Sequence, residues 1–394
     1  MRLFVLAFGM FAIGVDGFVV AGILNPIADD LGVSVATAGL LETTFALSIA
    51  ILGPILVTSL GPIRPRVALS SSLAVFALFN VVAAVAPSFW TLMGARVLAA
   101  MAVGIFMAVA PMAAAMSAKP GAQGKALAVV TAGLAAGIVL GVPIGIFLAD
   151  QLSWRWSFWL VAILGVLAAA GCATQFAELP SPPPASLRER ASVVAMPSVA
   201  LMLLSLTVWM TGGYVLYVYM GPMLENVAGF SPSALPWIFF GFGIAAIVGN
   251  LLGGILLDRV GPFVTLVVGL TGGGAGLLLT SIWGSSKLGV IVAVILWSAA
   301  GWMLTPPQQS RLLAEAPDRA PVLMSVNASA LYLGMGLGGV LGAIVTRVGG
   351  LRSLGWVGSL VELAAIVLVV AQHRKRPSAP EHHKVRGTAG QGAA

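Results

Sequence analysis

Residues 4–27 read FVLAFGMFAIGVDGFVVAGILNPI. The stretch is apolar for long enough to cross a bilayer, which takes about 20 residues of helix. One carboxylate, Asp16, sits near its middle. An ionised carboxylate in hydrocarbon costs at least about 2.5–3.5 kcal/mol on insertion scales. A chain that keeps such a group turns it toward a cavity or a partner and uses it, most often to move protons or bind cations. The plainer alternative is a carboxyl hydrogen-bonded to a neighbouring helix for packing.

The rest of the chain shares this solvent. Of 394 residues 59% are hydrophobic and 8% charged, with a mean hydropathy of +1.04. A soluble domain carries about 25% charged residues, so the expected solvent is lipid. The 48 glycines and 23 prolines also suit transmembrane helices better than soluble ones. The net charge of +7 does not point to nucleic acid, because the basic residues fall in short loops and at the C-terminus. Cys172 is the sole cysteine and lies inside an apolar run, which reads as packing. The first apolar run is too long for the core of a cleavable signal peptide and lacks a small-residue cleavage site.

Twelve apolar segments follow, near 4–27, 36–58, 67–86, 89–111, 126–148, 155–176, 198–220, 234–256, 263–283, 287–307, 321–345 and 353–371. The expected fold is an all-α integral membrane protein with two six-helix halves, 1–176 and 198–372. A polar, proline-rich connection at 177–197 joins them, and a basic tail, 373–394, is expected to be disordered. The loops LGPIRPR (60–66) and LDRVGP (257–262) echo each other after the second span of each half. With an even span count, fifteen of the 20 Lys and Arg residues fall on the side of the termini. Four, Arg155, Lys287, Arg347 and Arg352, fall opposite, and Arg96 is within a span. The positive-inside rule makes both termini cytoplasmic. The composition suits a bacterial inner membrane.

Besides Asp16, the spans contain Glu42, Arg96 and Glu362. A guanidinium cannot shed its proton, so Arg96 needs a carboxylate, carbonyls or water, and Asp16 is one candidate partner. Asp16, Glu42 and Arg96 are the expected proton-coupling set. The competing readings are a Glu42 solvated at the interface and an Arg96 reaching back to it. Glu362 lies in the final span; such spans are commonly peripheral and lipid-facing, and there the residue is expected to be protonated or pointed at a neighbouring helix. Gly133, Gly137, Gly141 and Gly145 recur every fourth residue, with Pro143 among them. That stripe admits another helix closely, and Pro143 bends its own, as suits a hinge or ordinary packing. A similar run, GMGLGGVLG, occupies 334–342. Asp258, Arg259 and Gly261 form a candidate cytoplasmic latch, or a solvated loop. Asn25, Tyr217, Phe240 and Trp302 are candidates for a substrate cavity, although most membrane aromatics are packing or interface anchors.

No phosphate-loop sequence is present: GAQGKA at 121–126 has the wrong glycine spacing. The histidines, His373, His382 and His383, lie at the end of the chain. Neither a metal cluster nor a nucleophile–histidine pair is evident in the spans. No enzyme activity, cofactor or metal is expected.

Several motifs together resemble the major facilitator superfamily, and within it the twelve-span drug:proton antiporters. They are GVDGFVVAGILNPIADDLGVSVATAGLL at 14–41, Arg96 with Gly104 downstream, and GIVLGVPIGIFLADQLSWRWSFW at 137–159. The second half adds 224–261, PPQQSRLLAEAP at 306–317, and 327–345. The chain is similar to bacterial chloramphenicol-resistance and arabinose-efflux-like permeases over about residues 1–372. It departs from many of them in holding Gly17 one position after its acid, and in lacking an acid in the 60–66 loop. Asp258 and Arg259 are therefore the fuller copy of the family's loop motif. The resemblance implies a monomeric secondary transporter exporting small amphipathic compounds against protons. A sugar or metabolite exporter or facilitator of the same fold is the alternative, and a membrane sensor or scaffold is a remoter one.

Overall fold

The computed structural model describes residues 1–61, 63–119, 122–176 and 186–375. The proline run of the central connection and the tail from 376 onward lie outside the described residues. Eleven helical stretches are long and apolar enough to cross a membrane. The first seven are α1 Arg2–Gly22, α2 Val35–Ser59, α3 Pro65–Ala84, α4 Phe89–Ser117, α5 Gln123–Gln151, α6 Arg155–Gln175 and α7 Pro197–Asn226.

The eighth stretch, Pro232–Ile282, has 51 residues. At a 1.5 Å rise it would extend about 76 Å, far beyond a hydrocarbon core of about 30 Å. It turns back instead at Gly261, whose backbone is at φ 80°, ψ 172°. A glycine and a following proline explain the break: that conformation is essentially reserved for glycine. The packing against the next helix shows the reversal. Gly249 and Gly253 lie against Ala299 and Met303, whereas Gly269, Gly272 and Gly276 lie against Leu304, Ala300 and Trp297. The register rises on one arm and falls on the other. The stretch is therefore two spans, α8 (232–260) and α9 (262–282), and the total is twelve, as the sequence implies. The remaining three are α10 Lys287–Glu315, α11 Pro317–Gly349 and α12 Leu351–Arg374. Odd-numbered spans run away from the face that carries the termini and even-numbered ones return to it.

The spans start where side chains or proline supply the missing hydrogen-bond economy. Ser34, Ser88 and Ser286 accept from Thr37, Thr91 and Gly289 backbone N–H groups at the starts of α2, α4 and α10. Pro65 and Pro197 open α3 and α7, where an N–H would be unsatisfied anyway. Between α6 and α7 the short helix Leu187–Val194 is opened by a capping box of Ser186 and Glu189. Arg190 of that helix donates to Ser325 at the start of α11.

The first six spans and the last six repeat one packing plan. Contacts of α1 with α5, α2 with α4 and α3 with α6 recur as α7 with α11, α8 with α10 and α9 with α12. Gly61, like Gly261, reverses the chain after the second span of its set, at φ 65°, ψ −158°. The two sets meet where α2 touches α11 and α5 touches α8. Their contacts concentrate on the face opposite the termini, here called the distal face. Tyr219 donates to the carbonyls of Ala36 and Gly339 at 3.4 and 3.3 Å. Asn25 donates to Glu225 at 2.7 Å and Arg347 to Thr37 at 3.3 Å. A Cβ at Gly243 would meet Val139 Cα at 2.8 Å, so these backbones touch without side chains between them. Nearer mid-depth, Tyr332 donates to the Met107 sulfur at 3.4 Å.

Candidate functional site

Three helices of the first set bring Asp16, Glu42 and Arg96 together. Asp16 lies in the last turn of the regular part of α1, which ends at Val19 and tightens into a 3-10 turn at Val20–Gly22. Glu42 and Arg96 lie in the early turns of α2 and α4, about 10 Å below the distal helix ends at 1.5 Å per residue. The sequence places Asp16 near half depth; with α1 continued beyond Gly22 by the helix Leu24–Asp30, it stands fourteen residues after Arg2 and fourteen before Asp30. Arg96 Nη1 donates to Asp16 Oδ1 at 2.6 Å. Its Nη2 donates to the Asp16 backbone carbonyl at 3.3 Å and to Glu42 Oε2 at 3.4 Å. All three side chains are buried to within 1% exposure, so Glu42 is not solvated at an interface and Arg96 does not reach back to one.

The guanidinium is also faced by rings. Its Cζ stands 3.9 Å from the Phe45 ring centre and 5.9 Å from that of Phe158 on α6, distances that suit cation–π attraction. Three polar atoms of the group, Asp16 Oδ2, Glu42 Oε1 and Arg96 Nε, have no hydrogen-bond partner among the described residues. The pairing is thus one cation against two carboxyls, incompletely satisfied, in an apolar setting. Such a group can exchange partners when a proton or ligand arrives.

Two residues beyond Asp16, Phe18 connects this group to the second set of spans. It packs edge-on against Tyr217 at 5.7 Å and Tyr214 at 6.5 Å. Tyr217 donates to the Phe18 carbonyl at 3.2 Å and packs at a tilt against Phe242, ring centres 5.4 Å apart. Phe242 in turn lies 5.3 Å from Trp297. Of the four cavity candidates, Tyr217 is in this cluster. Phe240 and Trp302 are half-buried and take no part in the described ring pairs. Asn25 belongs to the distal seal. Phe45 and Phe18 are participants that sequence reading missed. Phe45, three residues on from Glu42 and so on the same helix face, had a usable signal; the ring pairs across the interface had none.

The glycine stripe of α5 is an interface within the first set. A Cβ at Gly133 would lie 2.0 Å from the Ala7 carbonyl, one at Gly137 2.4 Å from that of Phe11, and those at Gly141 and Gly145 within 2.1 and 2.6 Å of Val15 and Val19. The partner is α1, the helix that carries Asp16, and not the opposite half. Pro143 has no N–H for the carbonyl four residues back, and the helix widens there into a π turn, Gly137–Gly141. The run in α11 does the same for α7: a Cβ at Gly334 or Gly338 would meet the Thr207 or Thr211 carbonyl at 2.5 or 2.7 Å.

Asp258 and Arg259 are exposed beside the Gly261 reversal, and among the described residues neither meets a partner. On that face Arg311 donates to Gln372 at 2.7 Å, and Gln372 to the Leu201 carbonyl at 2.6 Å. Glu362, although in the last span, points at neighbouring helices and not at lipid. It is buried at 0% exposure and faces α7 and α9, because glycines on those helices leave space for it. Among the described residues no group of His, Cys, Asp and Glu is arranged to hold a metal.

Comparison with known proteins agrees with this architecture. The sequence pattern of the Major Facilitator Superfamily matches residues 6–326 and 201–392. The uncharacterized MFS-type transporter YbcL of Bacillus subtilis (strain 168) is 34% identical over 377 residues, covering 95% of this chain and 96% of its own. The inner membrane transport protein YdhP of Escherichia coli (strain K12) is 29% identical over 381 residues, covering 95% and 96%. Among solved structures, a bacterial homologue of the human lysosomal transporter Spinster, inward-facing and occupied, superposes with a TM-score of 0.75 at 19% identity, covering 95% of this chain and 96% of that one. The human organic anion transporter MFSD10 (TETRAN) gives 0.68 at 16% identity, covering 93% and 97%. With twelve spans, a repeated six-helix packing plan and these relatives, the chain belongs to the Major Facilitator Superfamily and is a multi-pass membrane transporter, not an enzyme.

Proposed function

We propose that this transporter is a proton-coupled exporter of small amphipathic compounds, chloramphenicol-like drugs among them. It would act in a bacterial inner membrane with both termini cytoplasmic. The observation that carries the reading is Arg96 held between Asp16 at 2.6 Å and Glu42 at 3.4 Å, fully buried. With both acids ionised the trio has a net charge of −1; one proton makes it neutral, which a low-dielectric interior favours. A proton arriving on either acid frees one grip of Arg96. Because Phe18 links α1 to Tyr217, that release is transmitted to the contact between 1–176 and 198–372. In alternating access these two units rock, with 177–197 as their connection.

The sealed distal face supports reading the present conformation as one closed to the outside. The aromatic cluster beside the acids offers apolar, ring-binding surface to an amphipathic substrate. Asp258 and Arg259, exposed at the Gly261 reversal, would latch the cytoplasmic face in the opposite state.

The test is transport in proteoliposomes with an imposed pH gradient and an internal pH dye. Drugs and sugars are added singly to wild type and Asp16→Asn. Compound-triggered proton movement that the variant lacks is the expected result. Undiminished proton-coupled efflux by Asp16→Asn removes Asp16 from the mechanism; compound crossing without proton movement in wild type makes the protein a facilitator.

A further inference from the structure

Glu362 is a fully buried acid of the spans that the Arg96 group leaves out. Its side chain lies midway along α12, at 0% exposure, and both carboxyl oxygens are without a hydrogen-bond partner among the described residues. The surrounding notch is shaped by glycines of two other helices. A Cβ at Gly273 on α9 would lie 2.6 Å from Glu362 Oε2 and 3.2 Å from Oε1. One at Gly212 on α7 would lie 2.9 Å from Glu362 Cγ, and one at Gly274 3.7 Å from its Cβ. Any larger residue at 212 or 273 would displace the carboxyl. The fit leaves no room for a hydrated ion.

The charged groups of the packed helices are remote. Residues 262–282 of α9 contain no ionisable side chain. On α7 the tyrosines 214 and 217 join the aromatic cluster, Tyr219 bonds to Ala36 and Gly339, and Glu225 is at the distal end bonded to Asn25. On α12, Arg352 and His373 stand ten and eleven residues away, about 15 Å at the helical rise. A carboxylate here would have neither counterion nor donor. A neutral carboxylic acid needs neither to the same degree.

We infer that Glu362 is a second proton-binding site, occupied in this packing, which releases its proton to water only when α7, α9 and α12 part. Release breaks the carboxyl O–H bond and delivers the proton to the entering water. Proton loss and loosening of the three-helix contact are then one event. The inference stands apart from the role of Asp16 and survives if that role fails.

The sign of the linkage is fixed. The closed state holds a proton that the open state, with an ordinary glutamate value of about 4.3, gives up. Above that value the opening equilibrium constant rises about tenfold per pH unit while the closed state stays protonated. Hydrogen exchange of 205–215, 268–278 and 356–366 in lipid, corrected for intrinsic pH dependence, reads that constant. Infrared spectra at about pH 8, where surface carboxyls are ionised, read the proton itself. Wild type should show a protonated-carboxyl band that Glu362→Gln lacks, and an opening constant that climbs with pH where the variant's stays flat. Glu362→Met serves where Gln disturbs folding, since it asks for no hydrogen bond. Overturning results are a band unchanged by the substitutions, equal pH responses, or failure of both neutral variants to fold.

Discussion

The first and last six spans use the same helix contacts around opposite interiors. The glycine registers align α1 with α7: Ala7 and Phe11 take the places of Thr207 and Thr211 against their stripes. Carried forward, the register sets Leu216 at the position of Asp16. The matching reversals at Gly61 and Gly261 set Phe242 at that of Glu42. One set therefore holds two acids and an arginine where the other holds an aliphatic residue and part of an aromatic cluster. The acid that the second set does possess, Glu362, stands alone in its notch. Backbone architecture is thus duplicated while chemistry is not. The packing plan is carried by small residues, and the function by a few side chains that the repeat does not constrain.

The comparison breaks most sharply at Arg96. Arg96→Met leaves Asp16 and Glu42 buried side by side without a cation, and removal of one partner of a buried ion pair costs about 3–5 kcal/mol. Thermal unfolding in detergent should show a loss of that order, with transport abolished. Adding Asp16→Asn should restore much of the stability and none of the coupling. A single variant as stable as wild type would mean that the trio is held by packing alone.

The glycine stripes test the likeness instead of the difference. Gly133→Ala drives a methyl to 2.0 Å from the Ala7 carbonyl, and Gly334→Ala one to 2.5 Å from that of Thr207. Overpacking of this kind costs about 1–3 kcal/mol. Gly254→Ala, with nothing within 4 Å, should be neutral or slightly stabilising, since alanine suits a helix interior better by about 0.5–1 kcal/mol. Equal losses at 133 and 334 support the repeat. A loss at one site only would mean that the two sets bear load differently.

Much of this was legible beforehand, for physical reasons. Span count follows from apolar length, and Gly261 with Pro262 shows where one 51-residue helix becomes two. Placement of Asp16, Glu42 and Arg96 in hydrocarbon announced that they needed partners, since charge there is costly. Which partners they found was not legible. Contacts between Arg96 and Asp16 span 80 residues of chain, and a single sequence contains no term for them. The glycine stripe was visible, but a stripe does not name the helix it admits; it admits α1 of its own set. That Glu362 points at neighbouring helices was one open alternative, but which helices was not legible, because its notch is built by glycines at 212 and 273, which are far off in sequence.

The smallest expected effect lies outside the bilayer core, on the distal face of the first set. Asp30, after α1, accepts from Arg155 at 2.5 Å and from Trp154 Nε1 at 3.2 Å, and Arg155 also donates to the Ala86 carbonyl at 3.1 Å. One arginine thereby ties the ends of α1, α3 and α6. The hydrogen bond from Arg155 holds the Asp30 carboxyl below the usual carboxylate range. A depressed folded value means that the stabilisation is complete above the unfolded value of about 3.9 and is lost as pH falls through the folded one. The aspartate is 45% exposed, so solvent screening keeps the contribution under about 1 kcal/mol. Asp30→Asn should melt slightly below wild type at neutral pH, and the gap should close on acidification below about pH 4 and shrink with added salt. A gap indifferent to both would assign the staple to the Arg155–Ala86 and Trp154 contacts rather than to charge. The distal seal of the first set would then be, like its glycine stripe, a matter of shape, leaving Asp16, Glu42 and Arg96 as the place where charge decides the structure.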